Sequence, residues 1–112
     1  MTLDESKPPR ILIVAPTARR DLLEIWEYIA ADSHDAADRT SDRFEEAFLQ
    51  LLDFPGLGRV RHDLSASRDV QFWHVGDYQI VYRVSASAIE IVAVLHGSRD
   101  IPEVLREREP DT

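Results

Sequence analysis

The 112-residue chain has no cysteine and a single lysine, Lys7. Without cysteine there is no disulfide, no thiolate metal site and no cysteine nucleophile. Long apolar runs are missing too; none approaches the ~20 residues a helix needs to span a bilayer. The opening stretch, Met-Thr-Leu-Asp-Glu-Ser-Lys-Pro-Pro, is polar, which is wrong for a secretory signal. Together these absences point to a soluble, cytoplasmic protein. Residues 1–9 read as a disordered leader, because Lys7-Pro8-Pro9 discourages regular structure. Internal repeats and low-complexity segments are absent. Gly56-Leu57-Gly58 lacks the nucleotide-fold context that a phosphate-binding glycine loop requires.

What remains is enough for one domain, residues 10–109, with one core: 44% of residues are apolar. The net charge is −8, and the acid is unevenly spread. Residues 35–54 carry six acidic and two basic side chains, whereas residues 55–100 carry five of each. The acidic balance argues against autonomous nucleic-acid binding, which relies on a basic footprint. All five basic residues in the neutral region are arginine, the fork-shaped cation suited to carboxylates and phosphates.

Arg10 to Ala15 reads as a β-branched strand stopped by Pro16. Thr17 then caps a helix over 18–31, with Leu22, Ile25, Trp26 and Ile29 on one stripe. A second helix over 35–53, opened by Ser33 or Asp35, carries Ala37, Phe44, Ala47, Phe48, Leu51 and Leu52 inward. Its Asp38, Asp42, Glu45 and Glu46 face water. The short link makes the pair an antiparallel hairpin. After a proline- and glycine-directed loop at 54–59, strands follow at 70–75, 78–84 and 88–95. Asp100 and Pro102 then start a last helix over 103–109. The order β-α-α-β-β-β-α predicts an α+β fold, a helical hairpin packed on one face of a small, mostly antiparallel sheet.

The residues of chemical interest gather around the last hairpin, which ends in His96-Gly97-Ser98-Arg99-Asp100. Histidine titrates near neutrality and can act as base or acid, but a strand-end histidine also serves as a hydrogen-bonded structural residue. Arg99 either caps the strand and helix with Asp100 or grips a partner. Arg83, on an alternating strand, either pairs with an acid or reaches the sheet margin. Arg59 and Arg61, in the glycine loop, are either simply solvated or contact a partner. Phe72 and Trp73 fall on opposite faces of one strand, which predicts that at least one faces outward or into a partner, and Trp73 is the apolar contact candidate. Trp26, Phe44 and Phe48 fit the core stripes. The paired carboxylates of the second helix have no histidine at ligand spacing, so neither a metal nor a cofactor is assigned.

Four landmarks in order carry a resemblance. They are Ala18-Arg-Arg-Asp21-Leu22-Leu-Glu-Ile25-Trp-Glu-Tyr28-Ile29, Pro55-Gly56-Leu57-Gly58-Arg59, Tyr78-Gln-Ile-Val-Tyr82-Arg83 and Leu95-His96-Gly97-Ser-Arg99-Asp100. Spread over about residues 11 to 101, they resemble the RelE/ParE toxin superfamily, and most of all its ParE branch of plasmid-stabilisation toxins. The resemblance implies a toxin neutralised by an antitoxin encoded beside it, as a hetero-oligomer or with homodimerisation. ParE-like members are taken to inhibit DNA gyrase by binding it, and RelE-like members to cut mRNA in the ribosomal decoding site. Aligned on the hairpin, Val70 and Phe72 stand where the nuclease branch has lysines. Gln79 replaces its hairpin arginine and Leu105 roughly its tyrosine, and only Arg99 is kept. The resemblance therefore implies no catalytic residue here, and Arg59, Arg61, Trp73, Arg83, His96 and Arg99 become candidates for partner binding. Ribosome-dependent RNA cleavage built on His96, Arg61, Arg83 and Tyr82 is the alternative, and a non-toxic binding module is the third reading.

Overall fold

The computed structural model describes residues 9–108, so the predicted leader lies, apart from Pro9, outside the described residues. Strand β1 (Ile11–Val14) leads into helices α1 (Pro16–Ala30) and α2 (His34–Asp53). Strands β2 (Val70–Val75), β3 (Tyr78–Val84) and β4 (Ala88–His96) follow, and α3 (Ile101–Arg108) is last. The sheet order is β1-β4-β3-β2, with β1 parallel to β4 and the other pairs antiparallel.

Helix starts show how local chemistry sets boundaries. Pro16 occupies the first turn of α1 after an extended Ala15, where its missing N–H costs nothing. Thr17 is therefore inside the helix and not its cap; its hydroxyl donates to the Val92 carbonyl at 3.3 Å. Ser33 does cap α2, accepting the Ala36 N–H at 3.1 Å, and the Asp100 carboxylate caps α3 through the Glu103 N–H at 3.2 Å.

The core is divided by the sheet. On one face the hairpin buries Ala18, Phe44, Ala47, Phe48 and Leu51 against Ile80, Tyr82, Ile89, Ile91 and Val94. On the other, Val70, Phe72, Val81, Ala93 and Leu95 pack under Ile101, Val104 and Leu105 of α3. The α1–α2 hairpin thus lies on one face as expected, while the third helix covers the opposite one. A register shift at Val81/Tyr82 skips Val92, which lets Ile89, Ile91 and Val94 of one strand point the same way. Trp26 stays half-buried and joins the two helices from the side, donating its indole N–H to Asp38 at 3.0 Å with its ring edge-on to His34.

Tyr82 ties this core to the glycine loop. Its buried hydroxyl donates to the Pro55 carbonyl at 2.8 Å and accepts the Gly58 N–H at 2.8 Å. Burial pushes the Tyr82 phenol above its ordinary value, only partly opposed by the Gly58 bond. A raised folded-state value means that this contribution to stability is complete below about pH 10, where the unfolded phenol begins to ionise, and is lost as pH rises through the folded value. Tyr82→Phe will therefore melt lower than the parent at pH 7 but lose less on going to pH 11. Thermal melts across that range check it; parallel alkaline limbs would contradict it.

Candidate functional site

β1 ends at Val14, so the second half of β4 has no strand beside it on that edge. Helix α1 fills the gap. Below Thr17, the Asp21 carboxylate accepts the Val94 N–H at 3.0 Å, satisfying a ladder donor that no strand reaches. Asp21 is only 4% exposed, the one buried charged side chain among the described residues. Such a charge needs a partner. Arg108, at the end of α3, donates from both terminal nitrogens to the two Asp21 oxygens, each at 2.7 Å. Because α3 lies on the opposite sheet face, this bidentate pair closes over the edge of β4 and joins the two helical layers. The hydrogen bond to Asp21 raises the Arg108 pKa above its ordinary value, against the opposing pull of burial.

Beside the pair opens a groove of about 370 Å³ between α1 and the end of the hairpin. Glu24, Ile25 and Tyr28 form its helical wall; Tyr78, Val94, His96 and Arg99 form the other. The strand side is rigid. Tyr78 sits edge-on between Phe44 at 5.4 Å and His96 at 5.2 Å. Burial, and after it the charge of Asp77, raises its phenol pKa. His96 Nδ1 accepts the Ser98 N–H at 3.0 Å and lies 2.7 Å from the Ser98 hydroxyl. In the neutral ring the proton is therefore on Nε2. The turn is closed by Gly97 N–H to Asp77 O at 2.7 Å and Arg99 N–H to His96 O at 3.0 Å. The exposed Arg99 guanidinium has no hydrogen-bond or ion-pair partner among the described residues.

The other candidates lie elsewhere. Arg83 is five residues from Tyr78 along β3, roughly 17 Å away at strand rise. It faces Glu90 across the strands at 3.7 Å, in a second cleft shared with Arg68 and Gln71. Arg59 extends β2's outer edge through a two-way backbone bridge to Phe72. Arg61 is engaged by Asp63 at 2.6 Å, which raises the arginine's pKa and lowers the aspartate's. The outward alternative for the two strand aromatics is corrected, for neither is exposed. With both sheet faces covered, Phe72 packs under α3 and Trp73 is half-buried against the hairpin core. His96 and Arg99, by contrast, share a groove. Among the described residues, no group of three or more histidine or acidic side chains is placed to hold a metal ion. No helix there is long and apolar enough to cross a membrane.

The side chains added by the structure are Asp21, Glu24, Tyr28 and Arg108. A signal for Asp21 was present: it falls at i+3 from Ala18 in the series Ala18, Asp21, Leu22, Ile25, an acid inside an apolar stripe.

Residues 12–101 match the family described as the ParE toxin of the type II toxin–antitoxin system parDE. The candidate toxin Y4kP of Sinorhizobium fredii (strain NBRC 101917 / NGR234) is 35% identical over 88 residues, covering 79% of this chain and 88% of that protein. Among solved structures, a chain of the chromosomal ParDE toxin–antitoxin system from P. aeruginosa superposes with a TM-score of 0.66 at 19% identity, covering 79% of this chain and 96% of that one. A chain of the RelBE2 toxin–antitoxin complex from Mycobacterium tuberculosis gives 0.55 at 26% identity, with 80% and 99% covered. The edge strand, hairpin and meander described above thus have the architecture of these toxins, and the chain belongs to the ParE toxin family of type II toxin–antitoxin systems.

Proposed function

We propose that this toxin acts by binding a protein, with DNA gyrase as the target, and that a cognate antitoxin neutralises it by forming a stable complex. One observation carries the choice of binding over RNA cleavage. The positions that align with the nuclease branch's lysines and tyrosine are Val70, Phe72 and Leu105, which are 1%, 4% and 6% exposed. They are packed together as the core under α3. Cleavage of the ribose–phosphate chain requires a base, a proton donor and cations converging on one phosphate. Here a dry apolar layer occupies that part of the sheet, and Arg83 and Arg99 stand at its two ends.

Induced expression without antitoxin tests the reading. Growth should stop, plasmids should relax or show breaks, and messages should stay intact. Cut messages with normal plasmid topology would favour ribosome-dependent cleavage, and unimpaired growth would leave a harmless binding module.

A further inference from the structure

The groove beside the Asp21–Arg108 pair carries two opposite charges at its rim, an apolar wall between them, and one large exposed ring. Tyr28 is 82% exposed. It sits one helical turn after Glu24, on the same side of α1. Arg99 lies across the groove without an ionic partner among the described residues, on the same wall as His96. Asp21 and Arg108 pair with each other, and Glu24 lies near enough to Arg108 to raise its pKa further; Glu24 charges one wall of the groove and Arg99 the other. That balance is unsuited to a nucleic-acid backbone, whose phosphates Glu24 would repel and for which, among the described residues lining the groove, Arg99 is the one arginine.

We propose that this groove seats a segment of the antitoxin in which an apolar side chain is flanked by a basic and an acidic residue. The proposal rests on the reading that an antitoxin neutralises this chain. The apolar side chain packs on Ile25, Tyr28, Tyr78 and Val94. The carboxylate is held by the Arg99 fork together with the His96 Nε2–H, and the basic residue pairs with Glu24. Charge-assisted bonds from a planar fork and a fixed imidazole impose direction on the segment, since reversing it sets like charges together at both ends. The wall is pre-organised by Ser98, Phe44 and the closed turn, so little ordering cost falls on the toxin's side.

The test is the affinity of the full-length chain for the antitoxin encoded beside it, measured for Tyr28→Ala, Arg99→Glu, Glu24→Lys and the parent. All three sites are exposed, so melting temperatures report that the variants fold. Tyr28→Ala and Arg99→Glu should each weaken binding by roughly thirtyfold, the size of a hot-spot truncation. Replacing the matching antitoxin carboxylate by lysine should restore affinity to Arg99→Glu and to no other variant. Hydrogen exchange in the complex should slow at residues 24–28 and 96–99. Folded variants that bind as tightly as the parent would overturn the groove assignment and leave the antitoxin reading standing. A parent chain that forms no complex would overturn both.

Discussion

Asp21→Ala will cost the fold about 2–3 kcal/mol, which for a domain of this size lowers the melting temperature by roughly 10–20 °C. The substitution removes an acceptor from the Val94 N–H and both partners from the Arg108 guanidinium in one step. Breaking a fully buried pair costs about 3–5 kcal/mol. The lower figure applies because the Arg108 side chain is 23% exposed and can swing part of its charge into water. Asp21→Asn should fall between, since an amide oxygen can still accept the Val94 N–H while the ion pair is lost. Chemical denaturation of the three proteins measures the series. A loss below about 0.5 kcal/mol for Asp21→Ala would make the pair equivalent to an ordinary surface bridge and sever the proposed link between α1, β4 and α3.

Gly58→Ala should be of similar severity, about 3 kcal/mol, although it adds one methyl group. A Cβ there would sit 2.6 Å from the Tyr82 hydroxyl and 2.7 Å from the Phe72 carbonyl. The carbonyl belongs to the bridge that ties Arg59 to β2 and cannot swing aside as a flexible side-chain end could. Overpacking costs about 1–3 kcal/mol, and displacing Tyr82 forfeits its two loop hydrogen bonds at about 1 kcal/mol each. Gly56→Ala is the control, because a Cβ at Gly56 meets nothing within 4 Å. Equal melting temperatures for the two variants would show that the loop is not pinned as described.

Tyr82 also illustrates what could be read in advance. The bounds of β2 and β3 were visible because β-branched and aromatic residues run through 70–75 and 78–84, a local property, with the turn Gly76-Asp77 between them. Gly76, at a φ of +57°, is the residue that makes that turn inexpensive. The α2 stripe was equally local, and Ala37, Phe44, Ala47, Phe48 and Leu51 are all buried. The side of the sheet that α3 covers was not legible, because a periodic pattern identifies an apolar face without naming its partner. With both faces covered, Trp73 is half-buried and not fully outward. The parallel pairing of β1 with β4 depends on contacts about 75 residues apart, such as Leu12 with Ile89. The stranded edge of β4, and with it the reason for an acid inside the α1 stripe, follows from that pairing. Of the six candidate side chains, His96 and Arg99 are brought together, since only Gly97 and Ser98 of a tight turn separate them. Arg83 went elsewhere because five residues of strand carry it to the far end of the sheet.

The central proposal is that the toxin works by binding gyrase, with a packed apolar layer where the nuclease branch has its catalytic side chains. The most direct measurement is DNA supercoiling by purified gyrase with increasing amounts of the purified toxin, alongside a ribosome-bound message in a parallel reaction. Inhibited supercoiling or trapped cleaved DNA, relieved by adding antitoxin, with the message intact, is the predicted result. Full supercoiling activity at saturating toxin, with the message cut on the ribosome, would contradict it.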